Sequence, residues 1–158
     1  LSVFAEKSGP HGMLGGQSVD VLFTGKHPEK ERLDYIYRLK TCALIEASMM
    51  MGAILAGAGN ESVAQFEDIG RSVGMAFQIQ DDILDCTGDA ALLGKPLNSD
   101  EKNGKTTYVT LFGIDTARAE VERLSENARH TLENVDSADE NEKKFLLWLI
   151  ESLVKRMY

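Results

Sequence analysis

The stretch FQIQDDILD, residues 77–85, sets three carboxylates, Asp81, Asp82 and Asp85, within about one helical turn at the end of a long, mostly apolar pattern. On a helix turning about 100° per residue, Gly70, Gly74, Gln78, Asp81 and Asp85 share a face, and Asp82 sits at its margin. That face is poor for stability alone. Each interior Gly costs about 1 kcal/mol relative to Ala, and like charges four residues apart cost a few tenths more. Two explanations compete: the glycines admit a neighbouring helix while the acids form a solvated helix end, or the acids hold a cation. Negative charge near a helix C-terminus opposes the macrodipole, and a bound cation reverses that penalty. Magnesium fits best, because it favours carboxylate oxygen, keeps several waters and is usually shared with substrate phosphates.

A site of that kind needs cations nearby. Lys95, Lys102 and Lys105 punctuate the segment directly after the acids, and Lys40 with Thr41 interrupts an otherwise apolar helical run. Singly, each lysine reads as a snorkelling stem or a solvated loop charge; their coincidence with an acidic triplet is the informative part. Other chemistries fit less well. GKT at residues 104–106 lacks the earlier glycine of a P-loop, Ser99 standing there, and no strand precedes it. His11, His27 and His130 have no metal spacing and no Ser or Cys partner. The acids lack the Asp-x-Asp-x-Asp-Gly run and closing Glu of an EF-hand.

The elements that must position these groups are helical throughout. Apolar residues recur at three and four, and no alternating strand pattern is present, so the chain is expected to be all-α. The periodicity predicts helices over residues 13–23, 31–56, 62–86, 116–134 and 142–157. The second carries Ile36, Leu39, Ala43, Ala47, Met50 and Ile54 on one stripe, and the third carries Phe66, Ile69, Val73, Ala76 and Ile83 inward with Asn60 as its cap. The last two present Val121, Leu124, Ala128 and Leu132, then Phe145, Leu149 and Leu153. Between the acids and residue 107 lies a Gly-, Asp-, Asn- and Lys-rich loop, long enough to be a lid or binding loop.

With 158 residues the chain is the size of one domain, and its net charge of −8 excludes a general nucleic-acid or anionic-membrane surface. Cys42 and Cys86 lie far apart with no CxxC pair, which suggests neither zinc nor a disulfide framework and makes a reducing cytoplasm the easiest setting. Residues 42–58 are the one candidate membrane span; Glu46, Ser48 and many small residues make a buried core helix the better reading. No signal peptide is expected. The first residue is Leu1 and the apolar pattern starts at once, so a fragment of a longer fold is expected.

GGQSVD at 15–20, KT at 40–41, GMAFQIQDDILD at 74–85 and LGKPLNSDEKNGKTTYV at 93–109 stand in the order found in trans-isoprenyl diphosphate synthases, and the chain resembles the C-terminal half of a bacterial farnesyl or geranylgeranyl diphosphate synthase. The resemblance implies an all-α helical bundle of the isoprenoid synthase type, its C-terminal portion only, with residues 1–158 forming the C-terminal part of one polyprenyl synthetase domain. It implies a Mg²⁺-dependent head-to-tail condensation of isopentenyl diphosphate with an allylic diphosphate, in a cytoplasmic homodimer. Asp81, Asp82 and Asp85 match the second aspartate-rich motif, with Asp81 the direct ligand. Lys40, Thr41, Gln78, Lys95 and Lys105 match positions that contact the allylic substrate, and Gln17, Asp20 and Asp100 match supporting ones. The glycine face beside Asp81 is expected to border the apolar cavity. No second DDxxD is present, so these 158 residues alone are expected to be inactive. A class I terpene cyclase and a non-catalytic synthase subunit are the alternatives; the Asp81–Asp85 pattern departs from the former, and the retained lysines and acids speak against the latter.

Overall fold

The structure, a computed structural model, describes residues 1–87, 100, 103–136 and 139–154, and among them every regular element is a helix. In chain order these are α1 (Ser2–Ser8), α2 (Met13–Phe23), α3 (Lys30–Tyr37), a π-helical turn (Arg38–Cys42), α4 (Ala43–Leu55), α5 (Asn60–Thr87), α6 (Tyr108–Phe112), α7 (Ile114–Glu133) and α8 (Glu140–Val154). The all-α expectation holds. So does α2, residue for residue. It stops where Gly25 takes a φ of +74°, a left-handed conformation that a side chain would strain. No helix among the described residues is long and apolar enough to cross a membrane.

The expected helix over residues 31–56 is helical across nearly all that span, but the π turn divides it. One wide turn slips the register by about a residue, yet Ile36 before it and Ala43 and Ala47 after it, three members of the expected stripe, are all buried. Leu33, Ile36 and Tyr37 are buried before the turn and Cys42, Ala43, Glu46, Ala47 and Ala53 after it. Ile54, placed on the inward stripe by its spacing, is exposed instead. At the start of α5 the carbonyl of Gly59 accepts the first helical bond, from the Val63 N–H, and thereby takes the cap place expected for Asn60.

α5 is the 28-residue spine, packed between α4 and α7. Its inward Ile69, Val73, Ala76, Ile79 and Ile83 are at most 3% exposed, each large aliphatic worth roughly 1.5–3 kcal/mol of burial. Toward its C-terminal end Ala76, Ile79 and Ile83 join Leu33, Ile36, Tyr37, Tyr108, Val121 and Leu124; toward its start Ile69 and Val73 join Ala128, Leu132, Val135 and Ile150. On α8 the inward residues are Ile150 and Val154 with Leu146, while Phe145 turns to solvent. The run FLLWLIESLV is apolar nearly all round, so its spacing cannot choose between two stripes; of the expected one, Leu153 packs against the core while Phe145 does not.

The glycines of α5 explain how close α4 comes. A Cβ on Gly70 would lie 2.7 Å from the Glu46 Cα, and one on Gly74 would lie 2.8 Å from the Cys42 Cα and Sγ. Gly70 and Gly74 therefore form the seat of a neighbouring helix; they do not border a substrate cavity, which corrects that expectation. The other half of the bland explanation fails: Asp82 and Asp85 are each 2% exposed, and only Asp81 is half-buried.

Candidate active site

A cleft opens at the C-terminal end of α5. Asp20, Phe23 and Thr24 from α2 and its end, Pro28, Leu33, Ile36 and Tyr37 from the α3 side, and Lys40 from the π turn form one wall. Gln78 and Asp82 of α5, Asp100, and the residues 105–107 form the other. Its volume of about 60 Å³ holds a few waters.

The π turn matters here because it carries Lys40 and Thr41. α2 reaches it through Gly16, where a Cβ would lie only 2.3 Å from the Lys40 backbone nitrogen. One helical turn later on the same face, Asp20 Oδ2 meets Lys40 Nζ at 2.6 Å. Thr41 Oγ1 donates to Gln78 Oε1 at 2.9 Å, which ties the π turn to α5 and fixes the Gln78 amide. Gln78 in turn supports the Asp82 carboxyl.

Asp82 is the most enclosed acid of the site. Its Oδ2 accepts from the Tyr37 hydroxyl at 2.6 Å and from the Tyr108 N–H at 2.8 Å, and it makes no ion pair with a described residue. Burial pushes its carboxyl up to about 7, and the Tyr37 and Tyr108 hydrogen bonds act against that rise. Burial, then the Asp82 charge, raises the Tyr37 phenol, so Tyr37 stays a donor at any physiological pH. Tyr108 is the first residue of α6, and Thr107 with Thr110 closes a capping box around that start. Asp85 Oδ2 accepts from the Asp100 N–H at 3.2 Å.

The returning loop is held by backbone. The Gly25 N–H donates to the Gly104 carbonyl at 3.0 Å, with both glycines at positive φ, and the Lys105 N–H donates to the Asp100 carbonyl at 2.9 Å. Lys105 lines the same cleft as Lys40.

The structure thus brings Lys40, Gln78, Asp82, Lys105, Asp20 and Asp100, all implied by the resemblance, around one cleft. Thr41 acts on that group through Gln78. Asp81 and Asp85 sit on the same turn of α5 outside the cleft lining, and Gln17 is half-buried on α2 outside it too. Lys95 and Lys102 lie outside the described residues. Tyr37 escaped the sequence reading, since a lone Tyr on an apolar stripe carries no sign of a partner 45 residues away. Among the described residues no three His, Cys, Asp or Glu side chains are grouped to cage a metal. Asp81, Asp82 and Asp85 at this helix end are oxygen donors of the class suited to a magnesium ion that completes its shell with water and phosphate.

A family model described as Polyprenyl synthetase matches residues 2–145. The chain is 42% identical over 136 residues to the farnesyl diphosphate synthase of Escherichia coli, covering 85% of this chain and 46% of that protein. A geranyltransferase structure from Helicobacter pylori, complexed with magnesium and isoprenyl diphosphate, superposes with a TM-score of 0.84 at 28% identity, over 98% of this chain and 51% of that one. A heptaprenyl diphosphate synthase structure from Staphylococcus aureus, 23% identical, shares the fold with a TM-score of 0.91 over 99% of this chain and 59% of that one. The chain spans about half the length of the curated relatives it matches.

Proposed function

Since the chain belongs to the polyprenyl synthetase family, we propose that it supplies the metal and diphosphate-leaving-group side of a short-chain prenyltransferase site, as the C-terminal part of one such domain. The reaction is the head-to-tail condensation of isopentenyl diphosphate with an allylic diphosphate. The allylic C–O bond breaks, the diphosphate leaves with the electron pair, the double bond of isopentenyl diphosphate attacks the cation, and a proton is lost to restore an alkene.

One observation carries the reading: lysines and acids from α2, the π turn, α5 and the stretch before α6 converge on one small polar cleft. Lys40 and Lys105, which line the same cleft, hold the departing anion, and the ion pair with Asp20 fixes the Lys40 side chain. Gln78, fixed by Thr41, orients the same headgroup, and Lys95 completes the set. Asp81 binds the metal directly, with Asp82 and Asp85 behind it. Magnesium, when bound, neutralises charge developing on the leaving diphosphate. The magnesium and isoprenyl diphosphate of the H. pylori geranyltransferase support that choice of ligand.

The protein is further proposed to act as a cytoplasmic homodimer, and residues 1–158 alone to lack turnover, since they carry a single aspartate-rich motif. The test is titration of Mg²⁺ with an allylic diphosphate analogue into the complete protein and its Asp81→Asn variant. Loss of affinity and turnover in the variant is expected. Unchanged values for both would remove the assignment.

A further inference from the structure

We propose that Tyr37 is a positioning residue of this site, acting through Asp82 to hold the metal-bearing end of α5 in register with the lysines that face it. The inference rests on the diphosphate reading above and adds to it a residue outside the family motifs on which that reading was built.

Tyr37 is the last residue of α3, three before Lys40, and is 7% exposed. Its hydroxyl meets Asp82 Oδ2, and the same oxygen receives the Tyr108 N–H at the head of α6. One carboxylate oxygen therefore joins three elements: α3, which continues into the π turn of Lys40 and Thr41; α5, which carries Asp81 and Asp85; and α6, which is preceded directly by Lys105 to Thr107. Asp81 is the next residue on the same helical turn, so a backbone shift of that turn on loss of the Asp82 contacts carries Asp81 with it. A phenylalanine would fill the same apolar space beside Ile79 and Ile83, but it would leave a buried carboxylate one donor short. Partners of this kind behind metal-binding carboxylates fix ligand orientation, and their loss costs ten- to a hundredfold in metal affinity or activity.

The test uses calorimetric titration of Mg²⁺ with inorganic pyrophosphate into the complete protein, together with amide hydrogen exchange at Tyr108. Tyr37→Phe is expected to fold cooperatively, to bind Mg²⁺–pyrophosphate about tenfold or more weakly, and to exchange the Tyr108 amide faster. Tyr37→para-aminophenylalanine, which keeps a donor at the same reach, is expected to stay within about threefold of the parent. Binding by Tyr37→Phe equal to the parent overturns the positioning role and leaves the functional reading intact. Failure of the parent itself to bind Mg²⁺–pyrophosphate overturns both. Should Tyr37→Phe not fold, the para-amino variant decides: near-parental binding supports the role, and a tenfold loss refutes it.

Discussion

α5 passes two buried carboxylates that are equally enclosed and oppositely treated. Glu46 of α4, packed over Gly70, is 2% exposed and lies between Lys7 of α1 and Arg71 of α5, with Arg71 Nε at 3.2 Å. Lys7 also reaches Glu67 at 2.6 Å. Burial works against the Lys7 ammonium, yet its contacts with Glu46 and Glu67 raise its pKa, and the Lys7 bond holds Glu67 low. Asp82, also 2% exposed, has only neutral donors among the described residues, and its pKa rises to about 7. A carboxylate whose charge is cancelled by internal cations serves to staple helices. One held by hydroxyl and amide keeps its charge uncancelled, and that is the state in which an external cation gains most from arriving.

Four measurements can break or sharpen that contrast. The largest effect is expected from Asp81→Asn in the complete protein: turnover of geranyl and isopentenyl diphosphates falls about 10²–10³-fold, the scale of one lost electrostatic stabiliser, while the thermal midpoint barely moves. Equal losses of stability and rate would put Asp81 in the stapling class. Next comes the pH dependence of Asp82. A carboxyl whose folded pKa is about 7 binds its proton more tightly in the fold than in the unfolded chain, near 4, so its contribution to stability falls as pH rises from about 4 to 7 and is level above. Relative to Asp82→Asn, wild type should lose on the order of 3 kcal/mol across that window in urea titrations without metal, and saturating Mg²⁺–pyrophosphate should recover part of it.

Glu46→Ala should show the opposite profile. It strands Lys7 and Arg71, both of them partly exposed, and is expected to cost about 2 kcal/mol by urea denaturation while leaving the Mg²⁺ requirement of turnover unchanged. A shifted Mg²⁺ requirement would show that the network reaches the cleft. The smallest effect is Thr107→Ala, which removes the cap of α6 and should cost about 1 kcal/mol, read as faster amide exchange at Thr110.

How legible each region was follows from the range of its interactions. The α5 stripe of Ile69, Val73, Ala76 and Ile83 was readable because a long amphipathic helix repeats its signal many times. α1 and α6 are too short to repeat any signal, and neither was anticipated. The π turn was hidden because it changes register by a single residue inside a run that still reads as helix; the expected Ala43 and Ala47 of α4 are nevertheless buried, and Ile54 at its end turns outward. At the cleft, Lys40, Gln78, Asp82 and Lys105 were found through residue type and motif order. Tyr37 and the Lys7–Glu46–Arg71 staple were not, since their partners lie 25 or more positions away and only the packing of the helices brings them together.

The meeting of Gly25 and Gly104 has a consequence for how such a site can change. The two turns touch through a main-chain bond at left-handed φ, so the path of the returning segment is independent of which side chains decorate it. Lys105 and its neighbours can be exchanged one at a time without rethreading the crossing. Substitution of either glycine would move all of them together. Diversity in what the pocket grips is therefore accessible by single replacements around a fixed knot, whose own two positions favour glycine.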